Sequence, residues 1–203
     1  MGNTVRSTGS ITLERKNMPN QRKILYSRKS ACLQPLRLLM EEQTRRVLVA
    51  WALDCAERPL AFFEARVPQE FRPREATLVS RMWAQGESKM PLARRAILSA
   101  HAAAGENGKR DPLAEAAARA IGHACATIHA ETHALGLVFY WLTAAVWQAE
   151  PEQCEQRETE ELLWLTEKLI YWRDHIETWN APWAEFLLRE EPNREKLLHE
   201  RKG

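Results

Sequence analysis

From Leu33 onward, apolar residues recur at intervals of three and four, and proline and glycine punctuate them as helices prefer, proline at starts and glycine at ends. Val47, Leu48, Trp51, Cys55, Leu60 and Phe63 share one helical spacing, which predicts a first helix over Glu41–Ala65 with a kink at Pro59. Pro73 opens a second helix through Leu78, Val79, Met82 and Trp83, and Gly86 closes it. Pro91 opens a third, whose Ala93, Ala96, Ile97, Ala100 and Ala104 form a small-residue stripe ending at Gly105. Asp111 and Pro112 form an N-cap and first-turn pair that begins a helix-compatible stretch reaching Glu150. Such a stretch is too long for one ordinary globular helix, so a break is expected near Ala130–Thr132, with Thr132 capping the second half, Leu135–Trp147. Beyond Pro151, an apolar stripe of Leu162, Leu165, Leu169, Trp172, Ile176 and Trp179 marks another helix over Glu152–Trp179, and Pro182 and Pro192 bracket a short last one.

No segment alternates as a strand and no repeat is visible, so the fold class is all-α: one multi-helix, bundle-like domain with Ala-rich central helices. Three parts are expected: a basic, flexible tail over 1–32, a helical core over 33–150, and a Trp-rich helical extension over 151–203 packed on that core. At 203 residues the chain is long enough to bury a sizeable core without staples.

Charge changes the picture only at the N-terminus. Residues 1–30 hold seven Lys or Arg against Glu14 alone, which leaves 22 basic and 26 acidic residues in the rest, a balance of −4. A basic tail is the one part suited to touching nucleic acid, but no aromatic interleaving or base-reading motif accompanies it. The apolar stretch near Leu135–Trp147 is shorter than the ~20 residues a membrane helix needs, so no membrane role is expected. Cys32, Cys55, Cys125 and Cys154 form no CxxC pair, which suggests neither a disulfide framework nor a thiolate metal site and fits the cytoplasm.

Four of the six histidines, His101, His123, His129 and His133, fall within 33 residues. His129 and His133 lie four apart, the spacing at which a helix presents two imidazoles to one zinc ion, with Asp54 and Glu57 on the first helix as candidate carboxylates. Against this stand the expected helix break and the missing HExxH pattern. The competing reading makes Asp54, Glu57, His101, His123, Thr127, His129, Thr132 and His133 a hydrogen-bonded polar centre without metal or other cofactor, in which Asp54 or Glu57 bonds the histidines. No GxSxG elbow, phosphate loop or dinucleotide fingerprint is present, so no catalytic residue is assigned. At the C-terminal end, Trp164, Tyr171 and Trp183 stand among many glutamates and are expected to face a partner or a second copy.

Five segments occur together in one order: VAWALDCAERPL from Val49, RPREA from Arg72, WAQGESKM from Trp83, ARRAILSAHAAA from Ala93 and GHACATIHAETHALG from Gly122. In this series the chain resembles the all-helical immunity proteins of bacterial polymorphic toxin systems, over about residues 38–148. The resemblance implies a non-enzymatic cytoplasmic protein that binds and neutralises a cognate toxin. It carries over the polar pattern Trp51, Asp54, Glu57, Arg72, Glu75, Gly86, His101, Gly122, His123, Thr127, His129, Thr132 and His133. The chain departs from it at Pro59, in its basic tail and in its longer Trp-rich extension.

Overall fold

The computed structural model describes residues 24–189, 197 and 201, and among these the chain is helical throughout, with no strand. Eight α-helices follow in order: α1 Gln34–Glu41, α2 Arg45–Cys55, α3 Glu57–Arg66, α4 Arg72–Ala84, α5 Met90–Asn107, α6 Pro112–Ala126, α7 Ala134–Gln148 and α8 Cys154–His175. They pack into one all-α domain.

At the centre lies α6. It packs against α2, α3, α4, α5 and α7, and ten of its residues, Ala114, Ala116, Ala117, Ala118, Ala120, Ile121, Gly122, Ala124, Cys125 and Ala126, are buried. A helix approached from so many sides cannot carry bulky side chains without pushing its neighbours out to ordinary interhelical distances, and alanine meets that limit at no helix-propensity cost. The bulk comes from outside. Trp51, Leu48, Leu135, Leu142, Leu165 and Leu169 fill one core between α2, α7 and α8, while Leu53, Leu60, Phe63, Ile97 and Leu187 fill a second between α2, α3, α4 and α5.

Local chemistry explains most boundaries. Proline stands in the first turn of α1, α4, α5 and α6, where no backbone donor is required. Asp111 caps α6, accepting from the Leu113 and Ala114 amides at 3.0 Å each. Gly86, at φ +80°, ends α4: its amide bonds the Trp83 carbonyl, the Glu87 amide reaches back to Met82, and the left-handed turn this requires suits glycine.

Several boundaries differ from the sequence expectation. The stretch 41–65 is not one helix. A turn after Glu41 lets Thr44 cap α2, its side chain accepting from the Val47 amide, and a second break at Ala56 places Pro59 inside the first turn of α3, where its missing N–H costs nothing. Gly105 does not stop α5, which runs on to Asn107 and is followed by Gly108. The break between the two Ala-rich halves lies where expected, but Thr132 caps neither side; a 3₁₀ turn over Glu131–His133 leads into α7 instead.

Residues 1–23, most of the expected tail, lie outside the described residues. Residues 24–32 run against the domain: the Leu25 amide donates to Thr143 Oγ1 at 3.2 Å, and Tyr26 is buried with its hydroxyl donating to Glu158 at 2.6 Å. After α8, a 3₁₀ turn over Ile176–Thr178 and another over Glu185–Leu188 form a strap that crosses back to α4, where the Ala184 amide bonds the Ala84 carbonyl at 2.8 Å. Of the expected last helix only this second turn falls within the described residues, apart from the isolated positions 197 and 201.

Buried charge ties α8 to the rest. Glu161 is buried and accepts from Trp141 Nε1 and from Arg58 Nη1, both at 2.8 Å, so its ionised form is held by two donors from other helices. Replacing it should strand both. Glu161→Ala is expected to cost about 3 kcal/mol or more in urea denaturation, whereas Arg157→Ala, on the half-exposed side of the same carboxylate, should cost less than about 1 kcal/mol.

Candidate functional site

The break between α6 and α7 gathers the histidines. His123 stands in the last turn of α6, His133 closes the 3₁₀ turn, His129 stands in the turn between, and His101 comes across from α5. Their rings form a connected string. His101 meets His123 edge-on with centroids 5.3 Å apart, His123 and His133 lie 5.4 Å apart, and His133 meets His129 at 5.2 Å. Tyr140 of α7 stacks on His123 at 5.2 Å and 18°, a partner that sequence spacing did not reveal. Tyr140 faces outward from this string into a cleft of about 320 Å³, bordered by Ile24, Glu115, Arg119, Thr143 and Trp147.

Two glycines make the string possible. A Cβ on Gly122 would overlap the His101 ring, and one on Gly136 would overlap the His123 ring, so each glycine opens the space an imidazole occupies. Here steric room, not backbone conformation, selects glycine.

Two of the nitrogens engage one another. His123 Nδ1 and His133 Nδ1 are 3.2 Å apart, so one ring donates and the other accepts. Thr127 Oγ1 is turned to its own helix, donating to the His123 carbonyl at 3.1 Å, and Thr132 is half-buried in the 3₁₀ turn. His129 Nδ1 is buried without a hydrogen-bond partner among the described residues.

Asp54 and Glu57 do not join this centre. With the helix broken at Ala56, Asp54 points to α8 and accepts from Lys168 Nζ at 3.0 Å and Trp172 Nε1 at 2.9 Å, while Glu57 pairs with Arg81 at 2.8 Å. The expected carboxylate–histidine contacts are therefore replaced by contacts among the histidines themselves. Among the described residues, no three His, Cys, Asp or Glu side chains are disposed to hold a metal ion.

Without a carboxylate nearby, nothing offsets burial. Burial lowers the pKa of all four histidines, and nearby positive charge adds to this for three: Arg119 and His133 beside His101, His133 and Arg94 beside His129, and His101, His133 and Arg119 beside His123. His123 is pushed down to about 3. With every pKa in it lowered, the string is a chain of neutral imidazoles at neutral pH.

At the C-terminal end, Trp164 is half-buried with the Arg58 guanidinium 3.7 Å above its ring, and Trp183 stacks on Trp179 at 4.4 Å. Tyr171 is 47% exposed and stacks on His175. Of the three aromatics, Trp164 and Trp183 are thus half-buried in ring contacts and Tyr171 is the exposed one. The exposed apolar residues of α8 that the sequence reading passed over are Leu163 and Ile170, 57% and 37% exposed. Their exposure was hidden because both belong to the leucine-rich run of the helix.

The chain belongs to the Imm-5 like putative immunity protein family, whose model matches residues 38–169, from α1 well into α8. A search of curated proteins and a search of solved structures returned no match. No described helix is long and apolar enough to cross a membrane.

Two outcomes follow. Gly136→Ala and Gly122→Ala should each destabilise the domain by about 1–3 kcal/mol through overpacking, and His101→Ala should recover part of the Gly122→Ala loss, a coupling that a double-mutant cycle measures. Acid should weaken the fold. Because the native rings resist protonation while unfolded histidines titrate near 6.5, the unfolded state binds more protons below that pH, and stability falls as pH drops from about 6.5 toward 3. His123 alone contributes up to about 1 kcal/mol per pH unit there, so urea midpoints should decline with pH and His123→Gln should flatten the decline.

Proposed function

We propose that this protein binds and neutralises a cognate toxin of a bacterial polymorphic toxin system, acting in the cytoplasm by occlusion and without chemistry of its own. Family membership over residues 38–169 carries the reading. The geometry supports it: His123 and His133 turn their Nδ1 atoms to each other, and Asp54, Glu57 and Glu161 are each engaged by cationic or indole donors. A neutralising protein needs no cofactor. It needs a stable surface complementary to its target, burying on the order of 1,600 Å² in total around a few anchoring side chains.

The test is coexpression with the toxin-like open reading frame adjacent to the gene. A stable complex on purification and recovery of growth in cells that the toxin alone arrests are expected; a toxin that arrests growth equally with and without this protein, and does not co-purify with it, overturns the proposal.

A further inference from the structure

Beyond the N-terminal tail, charge is unevenly spread along the chain. Residues 88–110 hold Lys89, Arg94, Arg95, Lys109 and Arg110 against Glu106 alone, while the rest of 31–203 holds 17 basic and 25 acidic residues. All five cations are exposed and none has an ion-pair partner among the described residues, whereas Glu106 is taken up by Arg72 of α4. α5 buries Ala93, Ala96, Ile97 and Ala100 and turns Arg94, Arg95 and Leu98 outward, with Lys89 at its N-cap and Lys109 and Arg110 beyond its last turn. At 1.5 Å per residue the ridge is about 27 Å long, a reach that suits one side of a standard protein–protein contact of about 800 Å² per partner.

Charge alone would mark a solvated face, but this one also carries apolar surface. Leu92 and Leu98 are exposed on α5, and on α4, which packs along it, Phe71, Leu78 and Met82 share one exposed face. Five of the eleven large apolar side chains exposed among the described residues therefore stand on this one hairpin. Exposed apolar groups set among charges mark a docking surface. The chemistry selects its occupant. A phosphate backbone is anionic throughout; it would meet Glu75 and Glu87, both exposed and without an ion-pair partner among the described residues, and would leave the leucines against water. A second copy does not supply the complement, because on α8 Glu160 pairs with Arg157 and Asp174 with Arg173, so its carboxylates form no matching unpaired row. An acidic protein face with apolar residues between its carboxylates fits both features, and membership of an immunity protein family supplies such a partner in the toxin. We infer that the toxin docks on the α4–α5 hairpin through an acidic, partly apolar face, with α5 as the cationic axis of the contact. This rests on the toxin-binding reading above and adds where the toxin sits and what it presents. The cations set the rate and salt dependence of association, and the leucines supply area removed from water.

Binding kinetics against the purified product of the adjacent toxin-like open reading frame decide it. Wild-type association should slow as salt is raised to about 1 M, where the screening length is about 3 Å. Arg94→Glu with Arg95→Glu should lower the association rate constant about tenfold or more at low salt and flatten its salt dependence; Arg94→Gln with Arg95→Gln should fall between. Leu92→Ala with Leu98→Ala should instead speed dissociation about tenfold. Leu163→Ala with Ile170→Ala, on the exposed face of α8, should bind as the wild type does. All substituted side chains are exposed, so circular dichroism should show every variant folded. A wild-type complex that the α5 variants leave unchanged, or that the α8 variant weakens as much, overturns the inference and leaves toxin binding standing. A wild-type chain that binds no toxin overturns both. A DNA duplex that the wild type binds and the Arg94→Glu, Arg95→Glu variant does not makes the ridge a nucleic-acid surface and also overturns the inference.

Discussion

The crowding of α6 is the constraint from which the remaining packing follows. Five helices converge on it, and only a helix sided almost wholly by alanine, glycine and one isoleucine admits them all. Small residues make few contacts apiece, so the cohesive area must come from the surrounding helices, and the largest buried side chains, Trp51 and Phe63, stand on α2 and α3. The same closeness leaves the polar residues on and beside α6 little solvent. His123 finds another imidazole and a tyrosine ring, and Gly136 and Gly122 leave the room that the His123 and His101 rings fill.

Much of this was legible in the sequence, and the reason is local. Proline in the first turn and glycine past the last act within a few residues, so the starts of α4, α5 and α6 and the end of α4 follow from their own neighbourhoods. The gathering of His101, His123, His129 and His133 was likewise foreshadowed by spacing. What escaped was rotation. Reading 41–65 as one helix gave Asp54 and Glu57 a common face toward the histidines; the break at Ala56 turns them apart, Asp54 to Lys168 and Trp172, Glu57 to Arg81. A break set by tertiary fit leaves no mark on periodicity, because apolar positions on both sides remain in helical spacing. The cover of Trp164 escaped for a similar reason: the Arg58 guanidinium above its ring lies over a hundred residues earlier in the chain.

The polar interior obeys one rule in two ways. Where charge is buried between elements it is paired across them, as Glu161 with Arg58 and Glu131 with Arg45 at 2.9 Å. Where no partner charge is present, as along the histidine string, the groups stay neutral. Each solution makes a helix junction specific to its neighbours, since a shifted register would leave a carboxylate or an imidazole without its counterpart.

The strap after α8 bears on how the chain is made. Leu187 is fully enclosed by residues of α2–α6, and the backbone beside it is bonded to the end of α4. A ribosome that has delivered α1–α8 has not yet delivered the piece that closes this second core, and part of the apolar surface around Trp83 and Leu53 waits uncovered until the strap follows. This side of the molecule therefore takes its final form only once the strap is made, and any partner that reads it meets it only after synthesis has passed the strap.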